Sequence, residues 1–203
     1  ACTVLAGARF ALLRRQFAEQ RPAALERRQR VPEEKRLLIF LGGGANDEPL
    51  GRVAKALAGA KSKKLSAVTL VAGGARNAEI IAGQLRTALK LPVEVLVHVE
   101  DMASVMMRAD LAIGAGGISS WERCALGLPS LLVALADNQR EINRQLSIDR
   151  YVFSSVELED LSQSEMHRFL DMDDDTYLTI SGNASELCDG EGAGRVLEAL
   201  LLG

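Results

Sequence analysis

Gly114-Ala115-Gly116-Gly117-Ile118-Ser119 carries the pattern with the clearest chemical use in this chain. It follows the short apolar run Leu111-Ala112-Ile113 and runs into a segment with helical periodicity. Glycines let the backbone turn sharply with no Cβ in the way. A turn of this kind aims free N–H groups and the positive end of a helix dipole at one point, and the natural guest there is a phosphate. Ser119-Ser120-Trp121-Glu122 also has capping-box spacing, in which the glutamate reaches back to the helix start.

Gly42-Gly43-Gly44 forms a second cluster at another handover from strand to helix. A parallel sheet puts both clusters on one edge, where they can face one ligand; each is also, taken alone, an ordinary tight connection. Neither fits the dinucleotide fingerprint, because Ser119 and Asp47 occupy the last required glycine positions. No glycine run is followed by Lys-Ser or Lys-Thr, which excludes a P-loop. Asn138 and Gln139 follow a strand and carry amides able to meet phosphate or sugar hydroxyls, and would be equally ordinary as turn residues. His98 and His167 read as structural or exposed. Cys2, Cys124 and Cys188 are too few and too scattered for a disulfide framework or a zinc site, and Cys124 reads as a small buried side chain.

The elements that must position these residues alternate. Strands are expected over Arg36 to Leu41, Ala67 to Val71, Val93 to Val97, Leu111 to Ile113, Ser130 to Ala134 and Tyr151 to Phe153. Between and after them come helices from near Pro49, from Asn77 to Leu89 with Ile80, Ile81, Leu85 and Leu89 on one side, and from Asp101 to Arg108. The helix opening at Ser119 is expected to turn Ile118, Trp121 and Ala125 toward a sheet. Further helices run from Asn138 to Leu146, from Ser162 to Asp171 behind a capping box, from Asp173 onward, and from Gly194 to Leu202 with a stripe of Val196, Leu197 and Leu200. This alternation predicts an α/β, Rossmann-like, open and mostly parallel sheet with helices on both faces, binding its ligand at the carboxyl ends of the strands. Residues 1–32 read as an N-terminal linker and helical segment, an arginine-rich helix interrupted by Pro22 with Arg27, Arg28 and Arg30 on a solvated face; residues 33–203 read as the domain.

A chain of 203 residues, 48% hydrophobic and 25% charged, suits one soluble domain with a real core. A net charge of -3 gives no reason to expect nucleic acid. No apolar run approaches the roughly 20 residues that span a bilayer, and the first residues lack the order of a signal peptide, so a cytoplasmic location is expected.

The central run, with Val99-Glu100-Asp101-Met102-Ala103 before it and Ala136-Asp137-Asn138-Gln139 after it, resembles the nucleotide-binding half of the UDP-sugar hydrolases of the pseudaminic acid pathway. Those enzymes are relatives of the glycosyltransferase that adds N-acetylglucosamine to lipid I. The resemblance extends from Arg9 to Ala193 and implies the C-terminal domain of a GT-B type fold. It implies UDP or a UDP-sugar as ligand, with Gly43, Gly44, Gly116, Gly117, Ile118, Ser119, Asn138 and Gln139 around it. Val99 and Met102 frame its uracil pocket, and Glu122 accepts from the ribose hydroxyls. Gly44 to Asn46 depart from the Gly-Ser/Ala-Asp-Pro pattern of the family. The family requires no metal or cofactor. Its catalytic histidine lies on a Gly-x-Gly-His type loop of an N-terminal domain, to which nothing here corresponds, so this chain is expected to be the UDP-binding half that partners a missing domain. The implied reaction frees UDP and a diacetamido-trideoxyhexose. A GT-B glycosyltransferase using a UDP-sugar donor and a non-catalytic nucleotide-sugar-binding protein are the alternatives.

Overall fold

The computed structural model describes residues 4–43, 47–60, 62–73 and 76–202, the last with its backbone only. Six parallel strands form one sheet: β1 (Lys35–Phe40), β2 (Leu65–Val71), β3 (Val93–Leu96), β4 (Leu111–Ala115), β5 (Ser130–Ala134) and β6 (Ser154–Glu157). Their order is β3-β2-β1-β4-β5-β6. The helices are α1 (Arg15–Arg28), α2 (Asp47–Gly59), α3 (Ala78–Leu89), α4 (Met102–Arg108), α5 (Ile118–Ala125), α6 (Asp137–Ile148), α7 (Gln163–Leu170), α8 (Asp174–Leu187) and α9 (Gly192–Leu202).

Successive side chains of a strand point to opposite faces, so β1 feeds two cores. Leu37 and Ile39 pack with Val53, Leu57, Ile81 and Phe169 on one face, while Leu38 packs with Phe17, Met106 and Cys124 on the other. The central strands β4 and β5 are buried along their whole length, which is why they read as continuous apolar runs. In α2, Leu50, Val53, Ala54 and Leu57 recur at helical spacing, Pro49 lies in the first turn where its missing N–H has no partner to lose, and Asp47 and Glu48 sit at the favourable end of the dipole.

Five expectations are corrected by tertiary packing. Pro22 does not interrupt α1, which runs through it: Phe17 and Ala24 are buried on either side, and Arg21 donates to the carbonyls of Ala125 (2.6 Å), Ser185 (2.8 Å) and Cys188 (3.1 Å). Of the arginine cluster, Arg30 is exposed as expected, but Arg27 and Arg28 do not lie on a solvated face. Arg28 is buried and donates to the carbonyls of Met106 (2.9 Å) and Ala109 (3.0 Å), closing the end of α4, while Arg27 pairs with Asp110. Tyr151 to Phe153 is not a strand. Arg150 sits in the left-handed region at φ 58° and the Tyr151 N–H returns to the Leu146 carbonyl; Phe153 donates to the Ser130 carbonyl at 2.8 Å, and the register with β5 runs from Ser154. The apolar stripe of α9 is not buried: Leu200 is 74% exposed and Leu197 is exposed beside it. Ile80 likewise faces solvent, leaving Ile81 and Leu85 to pack α3 onto the core.

Cys124 is a small buried side chain, and burial pushes its thiol up to about 12. His98 and His167 are exposed, the latter with its Nδ1 3.3 Å from Asp171. Ser162 caps α7 by accepting from the Glu165 N–H (3.1 Å), but Glu165 turns instead to Ser154 and to Arg168 at 2.8 Å. Among the described residues, no helix is long and apolar enough to cross a membrane.

Candidate functional site

The strand order reverses between β1 and β4, whose connections leave toward opposite edges of the sheet. Such a switch point opens a crevice at the carboxyl ends of the strands. Phe40 and Gly114 are register partners there, so the loop entered by Leu41, Gly42 and Gly43 and the turn of Ala115, Gly116 and Gly117 leave the sheet side by side. The two glycine clusters therefore share one edge, as the parallel sheet requires. Gly44 lies outside the described residues. Gly42 (φ 94°) and Gly117 (φ 102°) occupy conformations that L side chains rarely adopt.

The helix after the turn begins at Ile118 with Gly117 as its N-cap, and no side chain caps it. Glu122 consequently lies too far into α5 to reach back to the helix start, and the capping-box reading fails. Its side chain, 9% exposed, instead meets Arg14 Nη2 at 3.3 Å. Burial pushes the Glu122 carboxyl above its ordinary range, and the Arg14 guanidinium opposes that shift.

Trp121 and Ala125 pack against the second core as the periodicity predicts, but much of the remaining buried surface of α5 is polar. Ser119, Ser120, Glu122 and Arg123 are buried, while Ile118 stands 54% exposed at the mouth of the turn. Arg123 folds back beneath the glycines. Its Nη2 donates to the Ala115 carbonyl (2.7 Å) and the Ser120 hydroxyl (3.2 Å), and its Nη1 to the Ser119 hydroxyl (3.3 Å). A Cβ at Gly114 would overlap this guanidinium, and one at Gly116 would overlap the amide of Asn143 from α6. Those glycines are therefore required by what lies under the turn.

Val99 and Met102 bracket the loop between β3 and α4. Met102 is buried and Val99 half-buried, both against the second core, so this loop offers a ligand chiefly its backbone. Asp101 caps α4 by accepting from the Ser104 N–H at 3.0 Å. Residues from outside the recognised motifs hold the loop. Arg14 (3.1 Å) and Gln16 (3.2 Å) both donate to the Glu100 carbonyl, and Gln16 Oε1 accepts from the Ala103 N–H (3.0 Å). Sequence reading missed this pair because nothing local signals a contact 84 positions or more away. At the start of α6, Asn138 is exposed and Gln139 is partly committed, its Oε1 accepting from the Leu135 N–H at 3.0 Å.

The carboxyl ends of β1 and β4 thus collect helix N-terminal N–H groups and glycine turns, with one buried carboxylate a turn further along α5. That architecture is a Rossmann-like domain of the GT-B glycosyltransferase type. The match of residues 37–165 to the family model places the chain in the glycosyltransferase family 28 C-terminal domain. It is similar to the UDP-N-acetylglucosamine–N-acetylmuramyl-(pentapeptide) pyrophosphoryl-undecaprenol N-acetylglucosamine transferase of Helicobacter pylori strain Shi470, 27% identical over 183 residues, covering 85% of this chain and 52% of the relative. The enzyme of the same name from Ectopseudomonas mendocina is 34% identical over 109 residues, 53% of this chain and 30% of that one. The chain spans about half the length of the Helicobacter relatives. In fold it is similar to Acinetobacter baumannii MurG (TM-score 0.73, 17% identity, covering 89% of this chain and 53% of that one). It is also similar to WaaG, a glycosyltransferase of lipopolysaccharide biosynthesis (TM-score 0.60, 17% identity, covering 91% and 51%).

Proposed function

We propose that this chain is the donor-binding half of a GT-B glycosyltransferase, holding a UDP-linked sugar at the carboxyl ends of β1 and β4. The observation that carries this reading is the open glycine turn feeding α5 at the sheet's switch point, with the buried Glu122 one turn along the same helix. The N–H groups at the start of α5 face the diphosphate, whose negative charge grows as the sugar bond breaks, and stabilise it as leaving group. Glu122 receives the ribose hydroxyls, because a carboxylate accepts from both members of a diol. The backbone of the loop around Val99 pairs with uracil, and Asn138 and Gln139 supply amides to the phosphate or sugar. Names of the relatives point to an N-acetylated sugar as the donor's cargo.

Acceptor and catalytic base belong, in this reading, to a partner domain of the size that the relatives carry beyond the matched half. Hydrolysis to UDP and free diacetamido-trideoxyhexose is the second reading, favoured by the run Trp121-Glu122-Arg123-Cys124 and its surroundings. Calorimetry tests the common part: the chain should bind UDP well and uridine far more weakly, and equal affinities would remove the phosphate role from the turn. Release of UDP from the donor, followed with the partner domain restored, separates the two. Transfer requires an added acceptor; hydrolysis proceeds at full rate in water alone.

A further inference from the structure

Beneath the glycine turn lies a charge that the donor-binding role has not used. Arg123 is 2% exposed, and among the described residues no carboxylate comes within ion-pair distance of it; the adjacent Glu122 attracts it electrostatically but gives its hydrogen bond to Arg14. Among the described residues the hydrogen-bond partners of Arg123 are two hydroxyls and one carbonyl, all neutral, and its Nε has no partner. An isolated cation in a protein interior is costly unless something anionic lies close by. Burial pulls this guanidinium down to about 10, which still leaves it charged at neutral pH. The buried group beside it is also incomplete. Asn143 is fully buried against Gly116, and among the described residues neither its Oδ1 nor its Nδ2 has a hydrogen-bond partner. A polar core assembled only to hold the turn would pair these atoms, since a buried unpaired amide is destabilising.

We propose that Arg123 is the fixed countercharge for the donor diphosphate: the nucleotide binds on the outer side of the Gly114 to Ser119 turn, and the guanidinium neutralises it from the inner side. This rests on the donor-binding reading above. Arg123 is itself shielded from solvent, so the attraction is less screened than between surface charges even though Arg123 does not touch the ligand. Arg123 is therefore a positioning residue, acting through Ser119, Ser120 and the Ala115 carbonyl. Asn143 complements it. A diphosphate that draws the turn's N–H groups outward reorients the Gly116 peptide, and the adjacent amide is placed to take up the backbone groups so exposed.

The inference distinguishes ligands by charge. Kd values for UDP, UMP and uridine are measured by calorimetry at one ionic strength for the wild-type chain and for Arg123→Met, which keeps the length and apolar bulk of the side chain. Expected is a loss of 10-fold to 100-fold for UDP, a smaller loss for UMP and a change under 2-fold for uridine, with Arg123→Lys recovering most of the UDP affinity. Equal losses for all three ligands, or none for UDP, would overturn the proposal and leave Arg123 a structural support. If Arg123→Met does not unfold cooperatively, Arg123→Lys carries the test: it retains the charge with fewer hydrogen bonds, so UDP affinity within 3-fold of wild type supports the proposal and a loss equal for UDP and uridine sinks it. A wild-type chain that binds none of the three defeats the donor-binding reading itself, an outcome separate from either result with the variants.

Discussion

Arg14 and Glu122 lie 108 positions apart in the chain and 3.3 Å apart in space. The pair joins the segment before α1 to the helix that starts at the glycine turn. It sets the charge state of the carboxylate proposed to hold the ribose. Burial favours the neutral acid, and the guanidinium favours the anion.

Glu122→Gln should weaken UDP binding by about 1–3 kcal/mol, the cost of losing a charged hydrogen-bond partner. The same change should cost 2′-deoxy-UDP much less; equal losses for both ligands would remove Glu122 from the ribose. The group also predicts a pH trend. Its folded pKa is raised, so the native state holds the proton more tightly than the unfolded chain, and the contribution of Glu122 to stability falls as pH rises from the ordinary carboxyl range through the folded value. UDP affinity should run the opposite way, strengthening as the carboxylate forms. Titrating both quantities for wild type and Glu122→Gln checks the signs, since the variant should lose both dependences.

Arg14→Ala should change stability by no more than about 1 kcal/mol, because the arginine is half exposed and solvent screens its pair. Its effect on UDP should be larger than that. The loop at Glu100 loses one of its two donors, and Glu122 loses the charge that opposes its protonation. Urea unfolding and UDP calorimetry on one preparation provide the comparison; a variant that loses stability but keeps UDP affinity would refute it.

Phe17→Ala should destabilise the chain by about 3–5 kcal/mol, the range for emptying a buried aromatic site. Phe17 is fully buried with Leu38 and Met106, so α1 belongs to the core of the sheet's second face. A midpoint in urea close to that of wild type would mean that α1 unfolds independently.

Asp189 should make the clamp on α9 acid-labile. Its hydrogen bonds from Arg195 hold the carboxyl at about 2, and Arg195 Nη1 also donates to the Arg9 carbonyl at 2.9 Å. A depressed carboxyl contributes stability that is complete above the ordinary carboxyl range and disappears as pH falls through about 2. Hydrogen exchange across α9 should therefore accelerate over that interval in the wild type, while Asp189→Asn should show fast exchange already at neutral pH. Identical exchange in the two proteins would refute the clamp.

Local patterns in the sequence were enough for the alternation of strands and helices, the α/β class, the bounds of β5 from Ser130 to Ala134, and the glycine turn with its helix. Each depends on periodicity or on a backbone preference expressed within a few residues, which neighbours along the chain can report. The sequence also led to the two glycine clusters sharing one edge, because a parallel sheet permits no other placement. Tertiary structure alone decided that α1 passes through Pro22, that Arg28 is buried, that β6 starts at Ser154, and that α5 hides Arg123 while exposing Ile118. The first two outcomes depend on partners far away in the chain, Ala125, Ser185 and Cys188 for Arg21 and Met106 and Ala109 for Arg28. A side chain's type and spacing predict which face of a helix is apolar, but whether a charge can be buried there depends on the carbonyls and hydroxyls that the folded neighbours bring to meet it.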